Sequence, residues 1–136
     1  MNFNSILIGS EDPQALTAYY AKLLGKATYE DSAYTSWQLG NGMVSIGPHD
    51  EVTGKNAQPG RLIWNIETTD VRGEFDRFVA AGAIVVREPY VPGGAAGSGE
   101  SGEGGDGGGP GDAFLIATFA DPDGNYFQLM SPMPAM

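Results

Sequence analysis

The residues of this chain that could carry out chemistry are few, and their scarcity excludes several classes of site. Cysteine is absent, and His49 is the single histidine. The sequence therefore excludes disulfide frameworks, thiolate catalysis, cysteine-ligated metal centres and any site that needs two histidines from one chain. No second candidate ligand is placed beside His49, so we expect an exposed loop histidine there.

Two carboxylates and an amide at alternate positions, Asp121, Asp123 and Asn125, match the opening of a calcium-binding loop. The match ends there, because glycine comes at the fourth position instead of the sixth and Pro132 replaces the closing glutamate. We interpret the three residues as turn residues that hydrogen-bond their own backbone.

A glycine-rich segment, residues 93–111, contains two matches to the dinucleotide-binding pattern G-x-G-x-x-G. That pattern binds a pyrophosphate only when it follows a strand and opens a helix, whose N-terminus holds the phosphates. No helical pattern follows here, and the carboxylates within the segment would repel phosphate. We interpret both matches as accidents of composition and predict a flexible loop.

The composition bounds the possible partners. The chain has 136 residues and a net charge of -10, which suits one globular domain, repels nucleic acid and anionic membranes, and favours cationic partners. No apolar run approaches the roughly 18 residues of a membrane-spanning helix. The N-terminus lacks the basic and apolar regions of a secretory signal. We therefore expect a cytoplasmic protein that binds neither nucleic acid nor membranes.

The elements that must position a site occur twice in the same order. In the first half, an alternating strand over 3–10 is followed by a helix between Asp12 and Gly25 and by strands near 28–29, 34–39 and 43–46. In the second half, a strand over 62–68 is followed by a helix between Asp70 and Gly82 and by strands over 84–87, 114–119 and 126–130. Ile6 and Ile8 match Trp64 and Ile66 at a constant offset of 58.

This repeat predicts an α+β fold of two tandem βαβββ units, about 1–54 and 60–136, within a single domain over 1–136. Segment 93–111 is then an insertion in the second unit. We expect a curved mixed sheet around a cavity, with the helices on its outer face. Strand alternation places Ile6, Ile8, Trp64 and Ile66 under the helices and Ser5, Leu7, Ile63 and Asn65 in the hollow.

Further side chains are expected around this hollow. Trp37 and Tyr126 are the best candidates for stacking on a ligand, with Tyr34 and Tyr90 nearby. Glu67 shares the face of Ile63 and has two interpretations. Burial could raise its pKa and make it a general base, or it could lie solvated at the end of its strand. The second interpretation is favoured, because Glu67 is near the C-terminal edge.

One string resembles a known family. Placed as the last hairpin of a doubled βαβββ chain, Phe119-Ala-Asp-Pro-Asp-Gly-Asn-Tyr-Phe-Gln-Leu129 is similar to the glyoxalase/bleomycin resistance/dioxygenase family of the vicinal oxygen chelate superfamily. The two helix ends, Leu24-Gly25 and Ala81-Gly82, resemble that family too. Its metal enzymes hold a divalent ion at positions that correspond here to Ser5, Ile63 and Gln128, with Ser45 or a neighbour. Because these residues offer too few donors and no negative charge, the resemblance implies neither metal nor cofactor.

The resemblance leaves three functions open. The first is a homodimeric small-molecule-binding protein that sequesters a cationic antibiotic. The second is a glyoxalase-like lyase or isomerase, or a dioxygenase-related enzyme, with an atypical site. The third is an accessory domain without a small-molecule ligand. We prefer the first and assign no catalytic residue; the expected ligand-binding residues are Ser5, Leu7, Trp37, Ile63, Asn65, Glu67, Tyr126 and Gln128.

Overall fold

The structure is a computed structural model that describes residues 1–93 and 113–133. The glycine-rich segment predicted to be a flexible loop, 93–111, lies outside the described residues except for Gly93. The chain divides into two compact units. Unit 1 is Met1–Pro59 together with Asp121–Asn125, and unit 2 is Gly60–Ala120 together with Tyr126–Met136.

Unit 1 contains one helix and four strands. In chain order they are β1 (Ser5–Ser10), α1 (Pro13–Leu24), β2 (Tyr29–Glu30), β3 (Thr35–Leu39) and β4 (Gly42–Pro48). The sheet has the order β1-β4-β3-β2, and β1 runs parallel to β4 while the other pairs are antiparallel.

Unit 2 repeats this plan after a 3₁₀ turn at Pro59–Arg61. Its elements are β5 (Ile63–Glu67), α2 (Val71–Ala80), β6 (Ile84–Tyr90), β7 (Ile116–Ala120) and β8 (Tyr126–Met130). The sheet order β5-β8-β7-β6 and the parallel β5–β8 pair reproduce those of unit 1. The prediction of an α+β fold with tandem βαβββ units is therefore confirmed, and each unit forms its own four-stranded sheet.

Both helices begin where the sequence predicts and for the predicted reason. The Asp12 side chain accepts a hydrogen bond from the Ala15 N–H, and the Asp70 side chain accepts one from the Gly73 N–H. Each carboxylate thereby satisfies one of the backbone donors that a helix N-terminus leaves unpaired. Helix α1 ends at Gly25, whose positive φ of 85° suits glycine.

Each helix covers one face of the sheet in its own unit. In unit 1, Leu16, Tyr20 and Leu23 of α1 are buried, and α1 contacts β1 and β4. In unit 2, Phe78 of α2 lies 5.3 Å from Phe119 and 6.4 Å from Phe127, measured between ring centroids. Burial of such large apolar side chains is the main favourable contribution to folding.

Two strands run further than the sequence predicts. Strand β4 continues to Pro48, because β1 pairs with it as far as Ser10. Strand β6 continues to Tyr90 through two register shifts, one on each side of Arg87. Such irregularities break the period-two pattern on which the sequence prediction depended. None of the helices in the described ranges is long and apolar enough to cross a membrane.

Candidate functional site

The face of the unit 2 sheet opposite α2, called here the open face, carries a polar row between two rows that are mainly apolar. The register aligns Asn65 of β5 with Gln128 of β8, Gln128 with Thr118 of β7, and Thr118 with Arg87 of β6. The flanking rows are Ile63, Tyr126, Ala120 and Ile84 on one side and Glu67, Met130, Ile116 and Tyr90 on the other. Three polar side chains and one cation thus cross the sheet side by side.

A cleft of about 490 Å³ opens on this face. It is lined by Asn65, Phe114, Ile116, Gln128, Met130 and Met133. Four of these six side chains are apolar and the other two are amides. A mainly apolar concavity with a few polar groups that fix orientation is the usual form of a small-molecule site.

Gln128 and Arg87, the two neighbours of Thr118 in the polar row, are held differently. The Gln128 amide nitrogen Nε2 donates a 2.9 Å hydrogen bond to the Thr118 hydroxyl, which is buried. The Arg87 guanidinium carbon lies 3.5 Å from the centroid of the Tyr90 ring, as in a cation–π contact. Arg87 does not line the cleft. The positive charge of Arg87 therefore lies outside the cleft, whereas the Gln128 amide lines it.

The open face contains most of the residues predicted for a ligand site in this half of the chain. Asn65 and Gln128 line the cleft, and Ile63 and Tyr126 occupy the adjacent row. Glu67 is exposed at the end of β5, so the solvated interpretation of this residue is confirmed. None of these placements tests ligand binding, which stays a prediction.

Unit 1 has an open face of its own, opposite α1. Ser5 and Leu7 lie on it as predicted, and 52% of Leu7 is exposed. Beside them the Ser36 and Ser45 hydroxyls are 2.7 Å apart, and the Tyr34 ring lies directly over Gly47, where a Cβ atom would overlap it. Whether the two units enclose a common cavity stays a prediction.

The prediction that Trp37 lines the hollow is wrong. Trp37 pairs with Val44, which in turn pairs with Ile6, and only 2% of Trp37 is exposed. Its indole Nε1 donates a 2.9 Å hydrogen bond to the Gly25 carbonyl. Alternation along β3 therefore directs Trp37 to the side of α1, where the indole helps to hold the end of that helix.

The acidic turn residues have a structural role. Asp121 is 2% exposed, and its Oδ1 accepts hydrogen bonds from the backbone N–H groups of Asp123 and Asn125. Burial raises the pKa of Asp121, against the lowering effect of its hydrogen bonds to Tyr20, Asn125 and Asp123. The interpretation of these residues as a self-bonded turn is confirmed. His49 is half-exposed, as expected for a loop histidine.

A second cleft, of about 620 Å³, lies in unit 1 beside the start of α1, and the sequence did not indicate it. Its carboxylates are those of Glu11, Asp12 and Asp31. Each is used within the fold: Glu11 accepts from the Gly54 N–H, Asp12 caps α1, and Asp31 accepts from two N–H groups of its own turn. The Tyr34 N–H is the main reason why the pKa of Asp31 is lowered. These carboxylates are therefore explained by local structure.

The residues that correspond to the metal ligands of the resembled family do not fit a divalent ion. Ile63 has no donor atom, the Ser45 hydroxyl is engaged with Ser36, and the Gln128 amide is neutral and bonded to Thr118. Divalent ions in proteins require several N, O or S donors, usually with negative charge among them. Within the described residues, no three His, Cys, Asp or Glu side chains are grouped in a way that could hold a metal.

Four residues of the unit 2 cleft were missed at the level of sequence. Met130 and Ile116 follow from the alternation, because Met130 is two positions after Gln128 and pairs with Ile116. Phe114 is two positions before Ile116 in the strand predicted over 114–119, although β7 begins only at Ile116. Met133 lies beyond the end of β8, outside any predicted strand.

Comparison with known proteins agrees with this architecture. A family model described as a glyoxalase-like domain matches residues 5–130. Among solved structures, a glyoxalase-related enzyme from Fulvimarina pelagi is 18% identical with a TM-score of 0.66, covering 99% of this chain and 94% of that one. A glyoxalase/bleomycin resistance protein/dioxygenase family enzyme from Burkholderia phytofirmans is 15% identical with a TM-score of 0.65, covering 98% and 100%. At these identities the similarity shows the fold alone. No curated protein matches the chain.

Proposed function

The chain belongs to the glyoxalase-like domain family of the vicinal oxygen chelate superfamily, and we propose that it acts as a small-molecule-binding protein. The ligand lies in the unit 2 cleft. One observation carries the proposal: two amide side chains, Asn65 and Gln128, converge on a cleft whose other walls are apolar. The apolar walls supply contact area, and the amides orient the ligand.

The finer proposal is that the ligand is cationic and has a flat apolar portion, as in a cationic antibiotic that the protein sequesters. The net charge of -10 supports this, because an acidic surface attracts cations and accelerates encounter. The exposed carboxylate of Glu67 supports it as well, since Glu67 lies on the open face next to Met130 of the cleft. The apolar portion packs on Phe114, Ile116 and the two methionines.

The methionine methyl groups provide the test. The protein labelled with ¹³C at the methionine methyl groups reports separately on Met130 and Met133 in the cleft and on Met43 in the β4 strand of unit 1. Titration with cationic aromatic antibiotics, including a bleomycin-type compound, should shift the signals of Met130 and Met133 saturably and raise the melting temperature. Binding should weaken as salt is added.

Two variants control this titration. Met133→Ser, at an exposed cleft position, should weaken the binding, whereas Met43→Ser should not. Shifts confined to Met43, or none with any compound, would contradict a ligand site in the unit 2 cleft. Chemical consumption of a bound compound would replace the binding function by an enzymatic one.

We also propose that the protein is a cytoplasmic homodimer. This part follows from the family likeness and from the sequence expectations above. Light scattering coupled to size-exclusion chromatography measures the oligomeric state directly. A monomer at micromolar concentration would contradict the dimer and leave the ligand site intact, because the six described residues that line the cleft belong to one chain.

A further inference from the structure

We propose that Gln128, positioned by Thr118, selects ligands that present a planar N–H donor edge, such as an amidinium, a guanidinium or a primary amide. This inference rests on the proposed function and concerns the donor and acceptor polarity of the same cleft. The hydrogen bond between the two side chains carries it.

The first step is the orientation of the Gln128 amide, which its contact with Thr118 defines in the structure. Gln128 and Thr118 are directly opposite each other on antiparallel strands β8 and β7, and Nε2 donates to Oγ1 at 2.9 Å. Thr118 is only 6% exposed, so the bond is shielded from competing water.

The second step is the polarity that this orientation presents. A glutamine side chain has one carbonyl acceptor and one NH₂ donor. Because Nε2 faces Thr118, the carbonyl oxygen Oε1 is turned away from the Thr118 hydroxyl. Among the described residues no donor is bonded to Oε1. Gln128 therefore offers the ligand an acceptor.

The third step is the charge around that acceptor. The six residues of the described ranges that line the cleft are all uncharged. The exposed Glu67 is two residues from Asn65 on the same face, whereas Arg87 is separated from Gln128 by Thr118 and lies over Tyr90. A carboxylate ligand would place its negatively charged oxygens against the Gln128 carbonyl oxygen Oε1 and near the Glu67 carboxylate, where both contacts are repulsive. An N–H donor can bond to the Gln128 carbonyl oxygen, and a cationic donor is attracted to the Glu67 carboxylate as well.

Three probes with the same phenyl ring separate the possible causes. Benzamidinium carries charge and N–H donors, phenyltrimethylammonium carries charge without a donor, and benzoate carries only acceptors. Titrations followed on the methyl signals of Met130 and Met133 should show benzamidinium binding about tenfold more tightly than either of the others, as one charge-assisted hydrogen bond would give.

Variants of Thr118 test its role as a positioning residue. Thr118→Val keeps the shape but removes the acceptor of the Nε2 bond, so the preference for benzamidinium over phenyltrimethylammonium should fall to about threefold or less. Thr118→Ser keeps a hydroxyl and should restore the preference. Ser36→Ala removes a comparable hydroxyl contact in unit 1 and should leave the preference unchanged.

The outcomes distinguish the inference from the function on which it rests. Equal or tighter binding of benzoate in the cleft, equal binding of phenyltrimethylammonium, or an unchanged preference in Thr118→Val would overturn the inference while leaving a ligand site. No shift of Met130 or Met133 with any of the three probes or with the antibiotics would overturn both.

Discussion

The Tyr20 hydroxyl donates a 2.7 Å hydrogen bond to Oδ2 of Asp121, a residue 101 positions later in the chain. Both side chains are buried, with 1% of Tyr20 and 2% of Asp121 exposed. The side-chain amide of Asn125 also donates to Asp121. The acidic segment that resembles a calcium loop is therefore a turn built around one buried carboxylate, that of Asp121, both of whose oxygens accept hydrogen bonds within the fold.

Removing the Tyr20 hydroxyl should destabilise the fold measurably. We expect Tyr20→Phe to lower the free energy of unfolding by about 1.5–3 kcal/mol, because a buried hydrogen bond to a charged acceptor is lost. Tyr29→Phe is the matched control, since it removes a tyrosine–aspartate bond of 2.9 Å that is exposed. Urea denaturation of both variants measures the difference. Equal losses would show that burial contributes nothing to the Tyr20–Asp121 bond.

The raised pKa of Asp121 fixes the sign of its pH dependence. Its pKa in the folded state lies above the ordinary value of 3.8, so the folded state binds the proton more tightly than the unfolded state does. The resulting stabilisation is fully present below pH 3.8 and is lost as the pH rises through the folded-state pKa. The free energy of unfolding of the wild type, minus that of Asp121→Asn, should therefore decrease as the pH rises from about 4 toward neutrality. An increase would mean that the hydrogen bonds outweigh burial.

Secondary structure was predictable where local chemistry and periodicity agree. Asp12 and Asp70 are N-caps, and the residues 58 positions apart lie in equivalent strands because the same alternation serves the same parallel pairing in both units. Strand ends were less predictable. The extension of β6 to Tyr90 depends on pairing with β7 through irregular register, which is a tertiary property.

At the N-terminus of α2, close packing between Gly73 and the capping residue Asp70 should cancel the stabilisation that helix propensity predicts for alanine. Gly73 lies in the first turn, and a Cβ atom there would overlap the Asp70 carboxylate that caps the helix. Propensity alone predicts that Gly73→Ala stabilises the protein by about 0.8–1 kcal/mol. We expect no gain, or a loss of up to about 1 kcal/mol, because the cap is displaced. In an Asp70→Ala background the same change should give the full gain. Identical effects in both backgrounds would contradict this coupling.

The candidate site was predictable only as far as the strands extend. Asn65 and Gln128 were placed correctly because alternation determines which face they occupy. The prediction for Trp37 was wrong because a large aromatic side chain suits a core as well as a cavity, and pairing with Val44 puts it beneath α1. Met133 reaches the cleft from beyond the end of β8, where a sequence carries no comparable signal. Phe114 precedes β7, although the predicted strand included it.

The contrast between Trp37 and Asn65 gives a final pair of expected results. Trp37→Phe removes the 2.9 Å bond to the Gly25 carbonyl and leaves space in the core of unit 1. It should lower the free energy of unfolding by about 1–3 kcal/mol. Because Trp37 does not line the unit 2 cleft, the affinity for benzamidinium should stay within about twofold of the wild type.

Asn65→Ala should leave the stability nearly unchanged and weaken ligand binding. Asn65 is exposed, so its replacement should change the free energy of unfolding by no more than about 0.5 kcal/mol. It lines the cleft, and loss of its amide should weaken benzamidinium binding by about fivefold to tenfold. Urea denaturation and methionine-methyl titration of the two variants, side by side, measure both quantities. If Trp37→Phe instead abolished binding in a folded protein while Asn65→Ala did not, the ligand would have to lie elsewhere than on the open face of unit 2.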